Sequence, residues 1–233
     1  MTTLPDTLEM AIAQSVEATK AALAAGRTQL QIEILFPELK PMPVVQQYLD
    51  LFPELGTQFK VFFADAGAAA LARRDWGETP YTIRGVNELL EPVQPEDEAF
   101  VFVAPTSVEV GTVEKICGLA GDRPCILLNP KLQDVSIVGI GYAGRQLRER
   151  FLDLLETCYY LRPLEKGAVF RAYPSAWQVW WDNDDVAYQL VGEEESRPVG
   201  DRLDRILAKV LPAQAQKKGI LQEMQQMIRA LTQ

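Results

Sequence analysis

Apolar positions along the chain follow two rhythms, one with helical period and one of short unbroken runs, and each predicts an element. Leu8, Ile12, Val16, Thr19 and Leu23 recur at helical spacing, Asp6 followed by Glu9 has capping-box separation at their start, and Gly26 ends the run. "LQIEILFPEL" (30–39) reads as a strand and "MPVVQQYLDLFPEL" as a short helix. "FKVFFAD" (59–65) is a continuous apolar run of the kind that a strand buried on both faces shows. "AGAAALARRDWG" then reads as a helix closed by Gly77, and "YTIRGVNELL" as a short strand and turn. "AFVFVAP" (99–105) is a second buried strand, "TSVEVGTVEKICGLAG" a helix ended by Gly121, and "PCILLNPKL" (124–132) a further strand. Strands alternating with helices in this way predict an α/β fold: a Rossmann-like, mostly parallel sheet flanked by helices.

The later part changes rhythm. Leu147, Phe151, Leu154, Leu155 and Cys158 keep helical spacing and predict one helix across that stretch. "GAVFRAYPSAWQVWWDNDDVAYQLVG" reads as strand, strand, an acidic turn at 182–185, and strand: an antiparallel, aromatic-rich extension. Val199, Leu203, Ile206, Leu207 and Val210 mark another helix. A polar linker at 212–219 leads to a C-terminal amphipathic helix at 220–233, with Ile220, Leu221, Met224, Ile228 and Leu231 on one side. Residues 1–211 are thus expected to form a single α/β domain.

Composition narrows the function classes. The net charge is −9, from 23 basic and 32 acidic residues, which argues against broad binding of nucleic acid. No stretch approaches the ~20 apolar residues that cross a bilayer. The acidic first turn is unlike a secretory signal or a transit peptide, and points to a cytosolic bacterial chain or a mature organellar one. The chain has no histidine, which removes imidazole-based triads and the common zinc and iron ligand sets together. Cys117, Cys125 and Cys158 are odd in number and without close pairing, and read as reduced core thiols. No metal site is expected.

Several residues could carry chemistry, and each has a structural reading beside it. Gly139-x-Gly141-x-x-Gly144 in "VSIVGIGYAGRQLRER" has the glycine spacing of a dinucleotide turn. The strand before it is short, however, and the acid at Glu165 lies in an apparent turn, so no nucleotide cofactor is expected. Arg145 and Arg148 stand in the first turns of the helix that follows, where cations oppose the helix dipole. They suit an anion or an acidic partner, or are simply solvated or paired with Glu149. Asp65, Thr106, Ser107 and Asn129 fall at the carboxyl edge of the sheet, the usual pocket edge of such folds. Thr106 or Ser107 equally serves as a cap for the helix that follows. Regular alternation puts Trp177, Val179 and Trp181 on one face and Trp180 with Gln178 and Asp182 on the other. Trp180, Met224 and Ile228 are therefore candidate interface residues, with core packing as the alternative.

The segment 123–182 resembles a domain-of-unknown-function family of cyanobacteria and chloroplasts. That family includes plant low photosystem II accumulation proteins and a domain appended to a chloroplast adenylate kinase. The resemblance is carried by Asn129-Pro130, Gly139-x-Gly141, the Arg145–Phe151 helix, Tyr159-Tyr160-x-x-Pro163-Leu164 and the Gly167–Phe170–Tyr173-Pro174–Trp177 pair of strands. It reaches the first half more loosely and the terminal helix not at all. It transfers no catalytic residue. It implies a non-enzymatic accessory or assembly factor for photosystem II or related thylakoid complexes, with photosystem II subunits or assembly factors as partners. The expected location is the cyanobacterial cytoplasm, peripheral to the thylakoid, or the chloroplast stroma. The rival is a phosphate- or nucleotide-binding module or enzyme using the sheet's carboxyl edge and the Gly139–Arg148 helix start. A third reading makes the terminal helix the working element.

Overall fold

The structure, a computed structural model, describes residues 3–36, 39–50, 52, 58–88, 90–132, 142–183 and 186–210. In chain order the elements are α1 (Leu8–Ala24), β1 (Gln29–Ile34), α2 (Pro41–Asp50), β2 (Phe59–Phe63), α3 (Ala66–Trp76), β3 (Thr82–Gly85), β4 (Ala99–Val103) and α4 (Val110–Ala120). Then come β5 (Cys125–Leu128), α5 (Tyr142–Arg150), a 3-10 turn (Leu152–Leu154), β6 (Glu156–Leu164), β7 (Gly167–Ala172), β8 (Trp177–Asn183), β9 (Val186–Glu194) and α6 (Asp201–Leu207). The strands form a mixed nine-stranded sheet in the order β3-β2-β4-β5-β1-β6-β7-β8-β9. Pairing is parallel from β3 through β6 and antiparallel between β7, β8 and β9. The fold is α/β, as the alternation of rhythms requires. Packing gathers the described residues into two units, one within Met1–Arg162 and Arg171–Ser175, the other within Pro163–Phe170 and Ala176–Gln233.

In the first unit, β2 and β4 are buried at every position, which is why their sequences read as unbroken apolar runs. Parallel crossovers are right-handed, so the direction of each connection fixes the face that its helix covers. The connections β1→β2 and β2→β3 run one way along the sheet, while β4→β5 and β5→β6 run the other. α2 and α3 therefore cover one face and α4 and α5 the other. The side chains agree. Phe100, Phe102 and Leu127 pack with Ile116 of α4 and Leu147 of α5 in one cluster. On the other face, Tyr48 of α2 donates its hydroxyl to Thr19 of α1 at 3.0 Å.

Two local expectations change. The cap of α1 is Thr7, whose side chain accepts from Met10 N, rather than Asp6. A hydroxyl one residue on reaches the first free N–H groups with the extended backbone that a cap needs. The helix through Leu147 ends at Arg150, and the stripe does not continue to Cys158. "ETCYYLRPL" is strand β6, paired with β1, and Cys158 sits at a register shift between the Gln31↔Thr157 and Ile32↔Tyr159 partners. Thr157, Tyr159 and Tyr160 favour a pleated, buried environment, and that preference outweighs the helical spacing.

The second unit is a meander. Gly167, at φ 151°, opens β7 where a Cβ would collide with the carbonyl oxygen of Trp180. α6 packs on β8 and β9 through Leu203 and Ile206. Gly192 makes that packing close, since a Cβ there would meet Ile206 at 2.8 Å. The expected linker at 212–219 and helix at 220–233, with Met224 and Ile228, lie outside the described residues.

Candidate functional site

β2 and β4 are neighbours whose outgoing connections diverge, β2 toward β3 and β4 toward β5. Their carboxyl ends therefore bound the crevice where α/β folds usually hold ligands. Asp65 follows β2, residues 104–107 follow β4, and Asn129 follows β5. The four pocket-edge residues read from the sequence thus lie along one edge, with Asp65 and Thr106 on either side of the crevice.

What these side chains do is local. Asp65 Oδ1 accepts from Ala68 N at 2.8 Å and caps α3. Thr106 donates its hydroxyl to Glu109 Oε2 at 2.6 Å, its N–H donates to the same oxygen at 3.0 Å, and its Oγ1 accepts from Val108 N at 3.2 Å. This corrects the expected cap: α4 begins at Val110 with Glu109 as its uncapped flanking residue, and Thr106 organises the turn before it. Ser107 is buried at 5% exposure. Asn129, at φ 48°, donates its N–H to Ile32 O and accepts from Ile34 N through Oδ1 at 2.6 Å. The cavity bordering Asn129 beneath α1 and α2 holds about 10 Å³, room for one water at most.

α5 differs. Gly139 and Gly141 lie outside the described residues, while Gly144 is buried within the helix. Leu147 faces the core, and Arg150 grips Glu114 of α4 with two bonds of 2.5 and 3.0 Å. Arg145 is exposed and Arg148 half-buried. Among the described residues neither forms an ion pair, with Glu149 or any other acid.

In the second unit Trp180 is half-buried, and its indole N–H donates to Gln178 Oε1 at 3.0 Å along its own strand. Both faces of β8 are partly covered, since Trp177 and Gln178 are each 5% exposed.

The sequence matches the profile of a family described as "Domain of unknown function (DUF1995)" over residues 5–205. The chain belongs to this DUF1995 family. The family region takes in all the described elements except the last residues of α6, so it includes the first half that the resemblance reached only loosely. No solved structure matches the chain.

Within the DUF1995 region the sequence reading missed three features. A groove of about 370 Å³ lies at the opposite, amino edge of the sheet, lined by Leu90, Pro92, Val93, Leu119 and Arg123. Beside it Lys60, the second residue of β2, is buried with Asp97 at 2.7 Å and donates also to Pro92 O. A lysine inside an apolar run was the available signal. Cys117 of α4 and Cys125 of β5, read from the sequence as reduced core thiols, are buried, free and hydrogen-bonded to each other. That bond and burial push the Cys117 thiol far above its ordinary range. Burial likewise pushes Cys158 up to about 12. Cys117 and Cys158 are therefore protonated, unreactive core groups, and Cys125 is a buried free thiol. Among the described residues no three Cys, Asp or Glu side chains gather as metal ligands, and no helix is long and apolar enough to cross a membrane.

Proposed function

We propose that this DUF1995 chain is a non-enzymatic accessory factor that works by contacting another protein. Its client is a subunit or assembly factor of photosystem II or a related thylakoid complex, met at the membrane surface from the cyanobacterial cytoplasm or the stroma. One observation carries the reading: the polar side chains at the sheet's crevice hold backbone groups of their own chain. Asp65 caps α3, Thr106 with Glu109 shapes the turn before α4, and Asn129 holds β1. The photosynthetic client comes from the family resemblance. The contact surface we assign is the face of α5 that carries Arg145 and Arg148, cations one turn apart on a chain of net charge −9.

The test is recovery of photosystem II subunits by the full chain from gently solubilised cyanobacterial thylakoids. Arg145→Glu/Arg148→Glu is expected to abolish recovery and to leave stability within about 0.5 kcal/mol, as surface changes do. Equal recovery by the wild type and the double variant sinks the assignment of α5. No photosystem subunit recovered by either sinks the client.

One observation favours the rival small-molecule reading. Ala104, at the crevice, has φ 45°, a costly conformation without the side-chain compensation that Asn129 has. A melting-temperature shift of the full chain with a nucleotide or sugar phosphate, removed by Asp65→Ala, would replace the accessory reading with that one.

A further inference from the structure

The sheet has two ends, and they differ. A free edge strand offers unpaired backbone groups to any passing chain, and proteins blunt such edges by shortness, lysine or proline. β3, at one end, has four residues. β9, at the other, has nine and contains neither lysine nor proline. Two register shifts against β8 place extra residues in β9, at Val191 and again between Val186 and Gln189. The regular stretch between them is Gln189 and Leu190. Leu190 in it and Tyr188, inside the second shift, are 39% and 44% exposed. Leu190 lies across the ladder from the half-buried Trp180, so these side chains share a face. The other face, at Gly192, is closed by Ile206 of α6.

Charge selects the occupant. Glu193 stands on the Trp180 face, where its carboxylate accepts from Gln178 Nε2 at 3.3 Å, and Glu194 and Glu195 follow it. Asp182 marks the other end of the ladder. A second copy of this chain would bring acid beside acid in either strand direction. A basic partner would not.

We propose that β9 is a docking edge for an extended segment of a partner protein, added as a further strand alongside Tyr188–Leu190. The segment has apolar side chains at alternate positions, one seated on Trp180 and Leu190, and a lysine or arginine that reaches Glu193. Backbone bonds supply affinity in this mode of recognition, and alternate side chains supply choice. The proposal deepens the protein-binding reading and rests on it, but on a different surface from α5.

The test is selection of short random peptides displayed on phage, using the full chain as bait and Leu190→Lys as counter-bait. Tyr188→Lys is the second variant should Leu190→Lys melt early. Enriched peptides are expected to alternate apolar residues between basic flanks and to lose affinity about tenfold on either variant. They are also expected to slow amide exchange at Tyr188–Leu190. Peptides that bind the variants equally, that leave exchange there unchanged, or that fail to enrich overturn the proposal. So does a dimer in sedimentation that Leu190→Lys dissolves, since the occupant is then a second copy. Random peptides make this outcome independent of the photosystem client and of Arg145 and Arg148.

Discussion

Asn129 shows how one residue can end a strand without breaking the sheet. Its N–H completes the ladder to Ile32, its backbone then turns into the left-handed region, and its amide oxygen takes the Ile34 N–H that a further strand residue would have taken. Two effects are thus separable. Asn129→Gly keeps the conformation and loses the side-chain bond, and is expected to cost about 1 kcal/mol. Asn129→Ala loses the bond and adds left-handed strain, for about a further 1 kcal/mol. Urea unfolding checks the order. An alanine variant as stable as the glycine one would mean that strain plays no part. "NP" after an apolar run announces a turn, but nothing in the sequence shows that the side chain reaches across to β1.

Among elements, the loop before β4 is held by charge. Lys60 and Asp97 are both buried, Asp97 also accepts from Gln94 N, and Arg123 ties the carbonyls of Gln94 and Asp97 to the end of α4 while stacking on Phe100. Removing one member of a buried pair strands the other, so Asp97→Ala is expected to destabilise by about 3–5 kcal/mol. A loss under about 1 kcal/mol in denaturant titration would show that Lys60 finds water. This clamp was hidden because its partners lie far apart in sequence. Elements whose burial is two-sided were legible: the runs at Phe59 and Ala99 could be little else than central strands. The segment from Leu147 to Cys158 was not, because its apolar spacing fits a helix and only the tertiary partner β1 decides for a strand after Leu155. At the candidate site, the edge position of Asp65, Thr106 and Asn129 could be read from strand ends. That their polar atoms serve the backbone could not, although the Thr106-x-x-Glu109 spacing was a usable hint.

For the molecule as a whole, the titration profile follows from what is absent and what is buried. Without histidine, stability should be nearly level between about pH 6 and 8, where imidazole normally responds. Above that the buried phenols and thiols take over. Burial raises Tyr48 and Tyr159 above the ordinary tyrosine value, and raises Cys158 from 9.0 to about 12. A group whose pKa is raised on folding keeps its proton in the native state while the unfolded chain has begun to lose it. The unfolded state then binds fewer protons, and stability falls as pH rises. The window opens near 9, the ordinary thiol value, and extends through about 12 for Cys158. Melting temperatures read across that window should decline steadily. A flat or rising profile would mean that these groups ionise freely in the folded protein. The same burial has a practical side. Cys117, Cys125 and Cys158 are all buried and free, so a maleimide dye meets none of them while the protein is folded. Arg145→Cys or Tyr188→Cys then supplies the sole thiol that such a dye can label, and the chain arrives ready for single-molecule fluorescence with its own cysteines left in place.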